Sequence, residues 1–483
     1  MIFILNFLPA LIALFVFLLP AKKIRLIEGS VIAAAGIALT LAVRLVISPS
    51  ANTPTIHPGG LALDNLSVYL VLLIALVGFF VSLYSVGYLR AEVAKGIIGP
   101  RRVRQFFVLL ELFLFAMYLA VSTTNPIVTW IAIEATTLAT VFLISFYNKP
   151  SATEAAWKYL IINALGLLIG LLGTLIFIAL QGERSSATDW AGFIAAAGTL
   201  PSGAVKIAFV LVFIGYGTKI GLAPLHTWLP DAHSKAPSPI SALLSGVLLN
   251  VALFAVLRWK LVTDIALGDD AHFTSSLFIF FGILSIFLAA FIIFIQKNYK
   301  RLLAYSSIEH MGLITLGFGL GGVGILASLF HMLYHALIKS MLFLLAGNIF
   351  LCYSSTKLKN VRGVLTALPL SGPLFFVGIL ILAGLPPFAL FTTKFLILSA
   401  AIQFSPWLAV ALLGALSIMF FGLLRFVTAL MYGSVSEGIE RGESSFLTQL
   451  PAVLILVTLL VLSWHLPEPL SALLESIRQD LTD

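Results

Sequence analysis

The sequence predicts an all-α integral membrane protein. Of its 483 residues, 60% are hydrophobic and only 10% are charged, whereas soluble domains have about 25% charged residues. The hydrophobic residues fall into runs of about 17 to 25 residues, the length that a helix needs to cross a bilayer. Two of these runs contain prolines in their interior, which a regular helix does not tolerate. These observations predict many transmembrane helices, two of them discontinuous.

Fourteen apolar runs can be laid out along the chain. They cover approximately residues 2–20, 26–48, 65–89, 105–123, 126–147, 156–180, 206–230, 239–258, 274–296, 302–320, 324–351, 369–400, 406–432 and 449–466. The seventh run is interrupted at Pro224, and the twelfth is interrupted at Pro386 and Pro387. We therefore expect about 14 transmembrane helices, of which helices 7 and 12 are discontinuous.

The spacing of the two interruptions predicts an internal duplication. Runs four to eight contain the first broken run as their fourth member, and runs nine to thirteen contain the second in the same position. Because five is odd, the second unit would enter the membrane from the opposite side, as inverted repeats of transporters do. We predict four segments: helices 1–3 (1–100), a first five-helix repeat (101–266), a second, inverted repeat (267–433), and helix 14 with the C-terminal tail (434–483).

The basic residues of the loops predict an orientation. With both termini outside, most Lys and Arg residues of the loops collect on the inner side, as in the segments 90–104 and 297–301. This is the distribution that the positive-inside rule describes. The net charge of +8 is accordingly attributed to loop bias, and no nucleic-acid partner is expected.

The composition excludes several kinds of redox or catalytic site within the chain. Cys352 is the only cysteine, so the chain has no cysteine set for an iron–sulfur cluster. It also shows no zinc-ligand spacing and no glycine-rich phosphate loop after a strand pattern. We expect no metal, no cofactor and no catalytic residue in this chain, so that any redox chemistry would belong to partner subunits.

Ionisable residues inside the apolar runs are the candidate functional groups, because intramembrane charges are rare and usually functional. Glu134 lies about eight residues into the fifth run, or ~12 Å deep at ~1.5 Å per residue. Lys219 lies in the broken seventh run at a comparable depth. We expect these two side chains to form a pair whose opening and closing changes their protonation.

The eleventh and twelfth runs hold the remaining candidates. His331, His335 and Lys339 recur at every fourth residue, so they share one helix face, and histidines pass protons at neutral pH. Lys394 is the only charge of the twelfth run. Glu309 and His310 are possible accessory groups that we expect close to the inner surface, where the membrane interface would hydrate them.

Five motifs resemble a known family. The stretches KIGLAPLHTWLPDAHSKAPSPISALLSG, TWIAIEATTLA, YSSIEHMG, HMLYHALIKSMLFLLAG and GLPPFALFTTKF are similar to the antiporter-like proton-pumping subunits. That family serves respiratory complex I, cation/proton antiporter complexes and energy-converting hydrogenases. The resemblance runs over roughly residues 60–430 and is closest to the hydrogenase-4 component F branch.

The resemblance implies roles for the candidate residues. Glu134 and Lys219 would be the controlling pair, and His331, His335, Lys339 and Lys394 would form a lateral proton relay. One departure is Asn250, because many members have a lysine at this position of the eighth span. Since Asn250 cannot titrate, the relay between the two halves would use water, Lys219 itself or another group.

The resemblance also implies partners. The chain would be a non-redox, proton-pumping subunit within the plasma membrane of a prokaryote, bound to other membrane and peripheral subunits that hold a nickel–iron centre and iron–sulfur clusters. A complex I subunit and a subunit of a sodium/proton antiporter complex remain alternatives. So does a structural scaffold, in which the buried charges serve assembly alone.

Overall fold

The structure is a computed structural model that describes residues 1–47, 60–182, 189–435 and 438–482. These residues are helical almost throughout. They contain no β-strand, and only two isolated β-bridges join Leu61 to Thr123 and Asn298 to Lys357. The predicted all-α class is therefore confirmed for the described part of the chain.

The chain forms twenty α-helices in this part. They are α1 (Ile2–Leu18), α2 (Ile24–Ile47), α3 (Asn65–Ala94), α4 (Pro100–Ser122), α5 (Pro126–Ile144), α6 (Pro150–Gln181), α7 (Trp190–Ala196), α8 (Ser202–Ile220), α9 (Trp228–Lys235), α10 (Ser238–Leu243), α11 (Leu249–Leu267), α12 (His272–Ile293), α13 (Tyr299–Leu320), α14 (Val323–Tyr353), α15 (Val364–Ala367), α16 (Ser371–Ala383), α17 (Ala389–Phe404), α18 (Pro406–Met431), α19 (Phe446–Trp464) and α20 (Glu468–Asp480). A π-helical turn, Leu244–Leu248, joins α10 to α11.

The helices agree with the predicted apolar runs. Each of the fourteen runs lies on a helix or on the two halves of a broken helix. Within the described ranges, ten helical stretches are long and apolar enough to cross a membrane by length and composition. Helices α1, α16 and α17 are shorter apolar helices. The protein is thus a helical membrane protein, while the number fourteen stays a prediction.

Both predicted helix breaks are present, and each begins at a glycine a few residues before the proline. Gly221 follows α8 with φ of 82°, and Gly384 follows α16 with φ of 88°. Glycine adopts this left-handed conformation without a steric penalty, which makes it the usual residue at a helix C-terminus. Helix α9 continues the first broken helix after Pro224, and α17 continues the second after Pro387.

Three helices were not predicted from the sequence. Helix α7 is a short segment between α6 and α8, and α15 is a single turn between α14 and α16. Helix α20 has a polar and an apolar face, and it buries Leu470, Leu473, Leu474 and Ile477. It packs against α2, α3 and α14, so the C-terminal tail is an ordered part of the fold up to its last described turn.

The centre of the molecule is formed by α3, α13 and α14. Nearly every side chain of α14 and α13 is buried, and α3 is buried on most of its surface. The peripheral helices instead expose large apolar side chains such as Phe142, Phe291 and Trp407. This distribution suits a lipid environment outside and leaves the buried polar groups to the central helices.

Candidate functional site

Lys219 lies in the last turn of α8, immediately before the first helix break. Its side chain is completely buried. The ammonium donates hydrogen bonds to Thr137 Oγ1 at 2.8 Å and to the Tyr159 hydroxyl at 2.7 Å. The Tyr159 hydroxyl is in turn 2.6 Å from Thr140 Oγ1. Lys219 is therefore held by hydroxyl groups of α5 and α6.

Lys219 and Glu134, the predicted pair, are neighbours without direct contact. Among the described residues the two side chains form no ion pair; instead Thr137 Oγ1 donates to Glu134 Oε2 at 3.4 Å. Thr137 is three residues after Glu134 in α5, so it lies on the same helix face and reaches Lys219 first. Glu134 is half-buried. The two charges are thus connected through one hydroxyl group.

The break after Lys219 is satisfied by the protein itself. The Trp228 indole donates to the carbonyl oxygen of Thr218 at 2.8 Å, and the amide of Ala223 donates to Ser285 Oγ at 2.9 Å. Irregular backbone at membrane depth is tolerated only where its polar groups find such partners. The last turn of α8 also presents the negative end of the helix dipole, which stabilises a cation such as Lys219.

Lys394 is the lysine of the second broken helix, and it lies after the break, in the second turn of α17. Its ammonium lies 3.1 Å from Glu309 Oε1. It also donates to the carbonyl oxygens of Leu382 and Ala383, the last two residues of α16, at 3.2 and 3.5 Å. The carbonyl groups freed by the break therefore bind the lysine of the following half-helix.

Glu309 and His310 are not accessible to solvent, whereas we expected the membrane interface to hydrate them. Both side chains are completely buried. The side chain of Asn298 caps the start of α13 by accepting from the amides of Lys300 and Arg301. The helix consequently begins at Tyr299, and Glu309 lies ~15 Å along it. The sequence-based estimate failed because it took the apolar run to be the whole helix.

Three histidines form a cluster beside the Glu309–Lys394 ion pair. His310 Nδ1 is 2.7 Å from His331 Nε2, and His331 Nδ1 is 2.8 Å from Thr393 Oγ1. The His335 ring lies 5.1 Å from the His310 ring, and neither of its nitrogens has a partner among the described residues. His310 Nε2 is also 3.3 Å from Glu309 Oε2. The cluster thus connects α13, α14 and α17.

Lys339 is the last member of the predicted relay on α14. Its buried ammonium donates to Ser306 Oγ at 2.6 Å and to the carbonyl oxygen of Leu303, both on α13. His331, His335 and Lys339 therefore all face α13, two turns apart at their extremes. The structure brings together every candidate of the second half.

Asn250 remains outside these contacts. It is completely buried in α11, where its amide nitrogen donates to the carbonyl oxygen of Gly246 at 3.1 Å. Its Oδ1 atom has no partner in the described part of the chain. The nearby π-helical turn instead brings Ser245 Oγ to 2.7 Å from Ser307 Oγ on α13.

Four polar residues of the site were missed in the sequence. Thr137, Tyr159, Ser306 and Thr393 each bond directly to a candidate residue. Thr137 shares a helix face with Glu134, and Thr393 precedes Lys394, so their spacing was a usable signal. Tyr159 comes from a different helix, and only the packing of α6 against α8 brings it to Lys219.

The described residues contain no group of three or more His, Cys, Asp or Glu side chains arranged to hold a metal ion. The site consists of lysines, carboxylates, imidazoles and hydroxyl groups joined by short contacts. Such an arrangement exchanges protons, because each of these groups accepts and releases them.

Comparison with known proteins assigns the chain to a family. Residues 123–421 match the transmembrane family described as NADH:quinone oxidoreductase/Mrp antiporter. The chain belongs to this family. Residues 57–96 also match the N-terminal family of complex I chain 5. Both broken helices and all candidate residues lie within the larger match.

One relative and two solved structures are similar to the chain. The hydrogenase-4 component F homolog of Methylacidiphilum infernorum (isolate V4) is 38% identical over 395 residues, which cover 80% of this chain and 81% of the relative. A subunit of an archaeal membrane-bound sulfane sulfur reductase has the same fold, with a TM-score of 0.87, 23% identity and coverage of 100% and 98%. A subunit of respiratory complex I from Thermus thermophilus also has this fold, with a TM-score of 0.82, 23% identity and coverage of 100% of both chains.

Proposed function

We propose that the chain is a proton-translocating, antiporter-like membrane subunit of a redox-driven complex, an energy-converting nickel–iron hydrogenase of the hydrogenase-4 or formate hydrogenlyase type. The supporting observation is a set of buried ionisable groups, including Glu309 and Lys394, that contact one another. They lie in a chain that is 38% identical to a hydrogenase-4 component F homolog. Buried charges at this density mark ion pathways in membrane proteins.

The proposed mechanism begins at Lys219. A conformational signal from the redox module changes the link from Lys219 through Thr137 to Glu134, and the lysine releases its proton toward Lys339. The proton then passes along His335, His331 and His310 to the Glu309–Lys394 pair, from which it leaves the membrane. Lys219 is reloaded from the inner side through the break that follows α8.

The energy required is modest. A membrane potential of ~100 mV opposes each proton by about 2.3 kcal/mol. Changes in pairing and desolvation alter the protonation free energy of buried groups by several kcal/mol. A rearrangement confined to one hydrogen-bonded hydroxyl, Thr137, is therefore sufficient to control the direction of transfer.

The proposal includes the topology. Fourteen transmembrane helices, grouped as 1–100, 101–266, 267–433 and 434–483, would contain two inverted five-helix repeats, with both termini outside the plasma membrane of a prokaryote. The matching positions of Gly221 and Gly384 at the two helix breaks support the repeat. The basic segments 90–104 and 297–301 support the orientation.

The proposal assigns the redox chemistry to other chains. The nickel–iron centre and the iron–sulfur clusters would belong to partner subunits, and this chain would move protons without a cofactor. A complex I subunit and a sodium/proton antiporter subunit are the alternatives.

The experiment is isolation of the native complex through an affinity tag on this chain. We expect nickel and iron in the purified complex, hydrogen evolution, and proton uptake by vesicles that does not depend on sodium. A flavin-containing NADH-oxidising module without nickel would identify the complex I alternative. Sodium-dependent transport without a redox module would identify the antiporter alternative, and both results would overturn the hydrogenase assignment.

A further inference from the structure

Several buried polar groups on α3, α9 and α10 take no part in the relay described above. Glu92 Oε2, Ser238 Oγ and both ring nitrogens of His233 are buried and have no hydrogen-bond partner among the described residues. Buried polar groups without a protein partner are normally hydrogen-bonded to internal water. Their clustering in one part of the molecule calls for a common explanation.

The member of this group nearest the surface is the carboxylate of Glu92, which is hydrogen-bonded to a tyrosine. Glu92 lies two residues before the end of α3 and is completely buried, and the Tyr147 hydroxyl donates to its Oε1 at 2.5 Å. The Tyr147 hydroxyl is also 2.9 Å from the Tyr88 hydroxyl. Tyr147 follows α5 and is only partly buried, so it connects Glu92 with the surface on the side that we propose to be the inner one.

The tyrosines continue inward along α3. The rings of Tyr88 and Tyr84 are stacked with centroids 5.6 Å apart. The Tyr84 hydroxyl and Ser238 Oγ both border Gly347 of α14: a Cβ atom at this glycine would lie 2.3 Å from the former and 3.0 Å from the latter. A side chain at position 347 would therefore intrude between the hydroxyl groups of α3 and α10.

His233 is the member of the group nearest to Lys339. Its completely buried ring stacks on Phe343 with centroids 4.7 Å apart, and the Lys339 ammonium lies 5.6 Å from the centroid of the same Phe343 ring. On the other side, the Lys300 ammonium donates to the carbonyl oxygen of Ala236 at 3.1 Å. His233 and the relay lysine Lys339 therefore contact the same phenyl ring, and Lys300 binds the backbone three residues after His233.

We propose that Glu92, Tyr147, Tyr88, Tyr84, Ser238 and His233 form a proton-entry path from the inner surface to Lys339. Tyr147 passes a proton from the surface to the buried Glu92, the hydroxyl groups and the water molecules between them exchange it inward, and His233 delivers it to Lys339. Lys300 keeps His233 from holding the proton, because a second cation beside the imidazole disfavours its charged form. The inference rests on the proposed function: the path loads Lys339 through a second inner entrance, separate from the break after α8, and proton release by Lys219 still drives the onward transfer, so that transport requires both Lys219 and this path.

The test uses the tagged complex in vesicles, oriented so that the face we propose to be the inner one points outward. An imposed potassium diffusion potential drives proton uptake, and a pH dye in the lumen measures it. Glu92→Gln and His233→Gln should each lower the uptake rate about tenfold or more. Gln keeps the oxygen that accepts from Tyr147, so a structural role of Glu92 would be preserved in this variant. Glu92→Asp keeps a titratable carboxyl group and should restore most of the rate.

Glu111→Gln is the matched control. Glu111 is a buried carboxyl group of α4 that lies outside the path, and we expect a wild-type rate for this variant. Gly347→Ala should also slow uptake, because its methyl group fills the space between Tyr84 and Ser238. A wild-type rate in either Glu92→Gln or His233→Gln, with Lys219→Ala inactive, would overturn the entry path and leave the proposed function standing. Wild-type transport by Lys219→Ala would instead contradict the proposed function itself.

Discussion

Lys394 donates a hydrogen bond of 3.1 Å to Glu309, and both side chains are almost completely buried. The lysine of the first broken helix, Lys219, has no such direct carboxylate partner and reaches Glu134 only through Thr137. The two halves of the chain therefore hold their lysines differently. A lysine bridged by a hydroxyl group releases its proton more readily than one in direct contact with a carboxylate, which makes Lys219 the controllable end of the relay.

Replacement of Thr137 by Val tests the bridge in the first half. Valine has nearly the same shape but cannot accept from Lys219 or donate to Glu134, so we expect proton translocation to fall about tenfold while the complex still assembles. Loss of a hydrogen bond to a buried charge should also lower the free energy of unfolding by about 1 to 3 kcal/mol. Proton uptake by vesicles and denaturation in detergent measure the two effects.

Thr136→Val is the matched control for this substitution. Thr136 is equally buried in the same helix, but its hydroxyl group bonds only to the backbone carbonyl of Ile133. Its replacement should leave translocation unchanged. Equal losses in the two variants would mean that Thr137 matters for packing and not as a bridge.

The Glu309–Lys394 pair makes a prediction about stability. Glu309→Gln leaves a buried ammonium group without its carboxylate, which should lower the free energy of unfolding by about 3 to 5 kcal/mol. Lys394→Met in the same chain removes the remaining charge, so the double variant should be more stable than Glu309→Gln alone. Denaturation of the single and double variants in detergent tests this, and purely additive losses would contradict a direct pairing.

Gly384 should be intolerant of a side chain. Its φ of 88° is unfavourable for alanine, and a Cβ atom there would lie 3.0 Å from Lys394 Cδ. We expect Gly384→Ala to lower the free energy of unfolding by more than about 1 kcal/mol and to slow proton translocation by displacing Lys394.

Gly414→Ala provides the comparison. Gly414 lies in α18, and a Cβ atom there meets nothing within 4 Å. Alanine should stabilise this helix by about 0.5 to 1 kcal/mol relative to glycine and leave translocation unchanged. A Gly384→Ala variant that behaves in the same way would show that the break after α16 does not depend on the left-handed glycine.

The main elements and charges of the site were predictable because the membrane makes them conspicuous. Lys219, Lys339 and Lys394 were found as charges in apolar runs, and the helix breaks were found from Pro224 and Pro386. Such residues are costly in hydrocarbon and therefore informative in a sequence.

The contacts among the charges were not predictable in the same way. The spacing of Thr137 and Thr393 relative to Glu134 and Lys394 makes them candidates, but only the packing of the helices shows which side chain each of them contacts. The burial of Glu309 was missed because α13 begins with polar residues that the hydropathy of the run did not include. Helix α20 was missed because it is too polar for a membrane span, although Leu470, Leu473, Leu474 and Ile477 follow the period of an amphipathic helix.

The most direct test of the account is proton uptake by vesicles that contain the complex with Lys219→Ala. The complex should assemble with its partner subunits, and its proton uptake should fall to the leak rate of vesicles without the complex. Uptake at the wild-type rate by the assembled Lys219→Ala complex would contradict the claim that protons pass through Lys219.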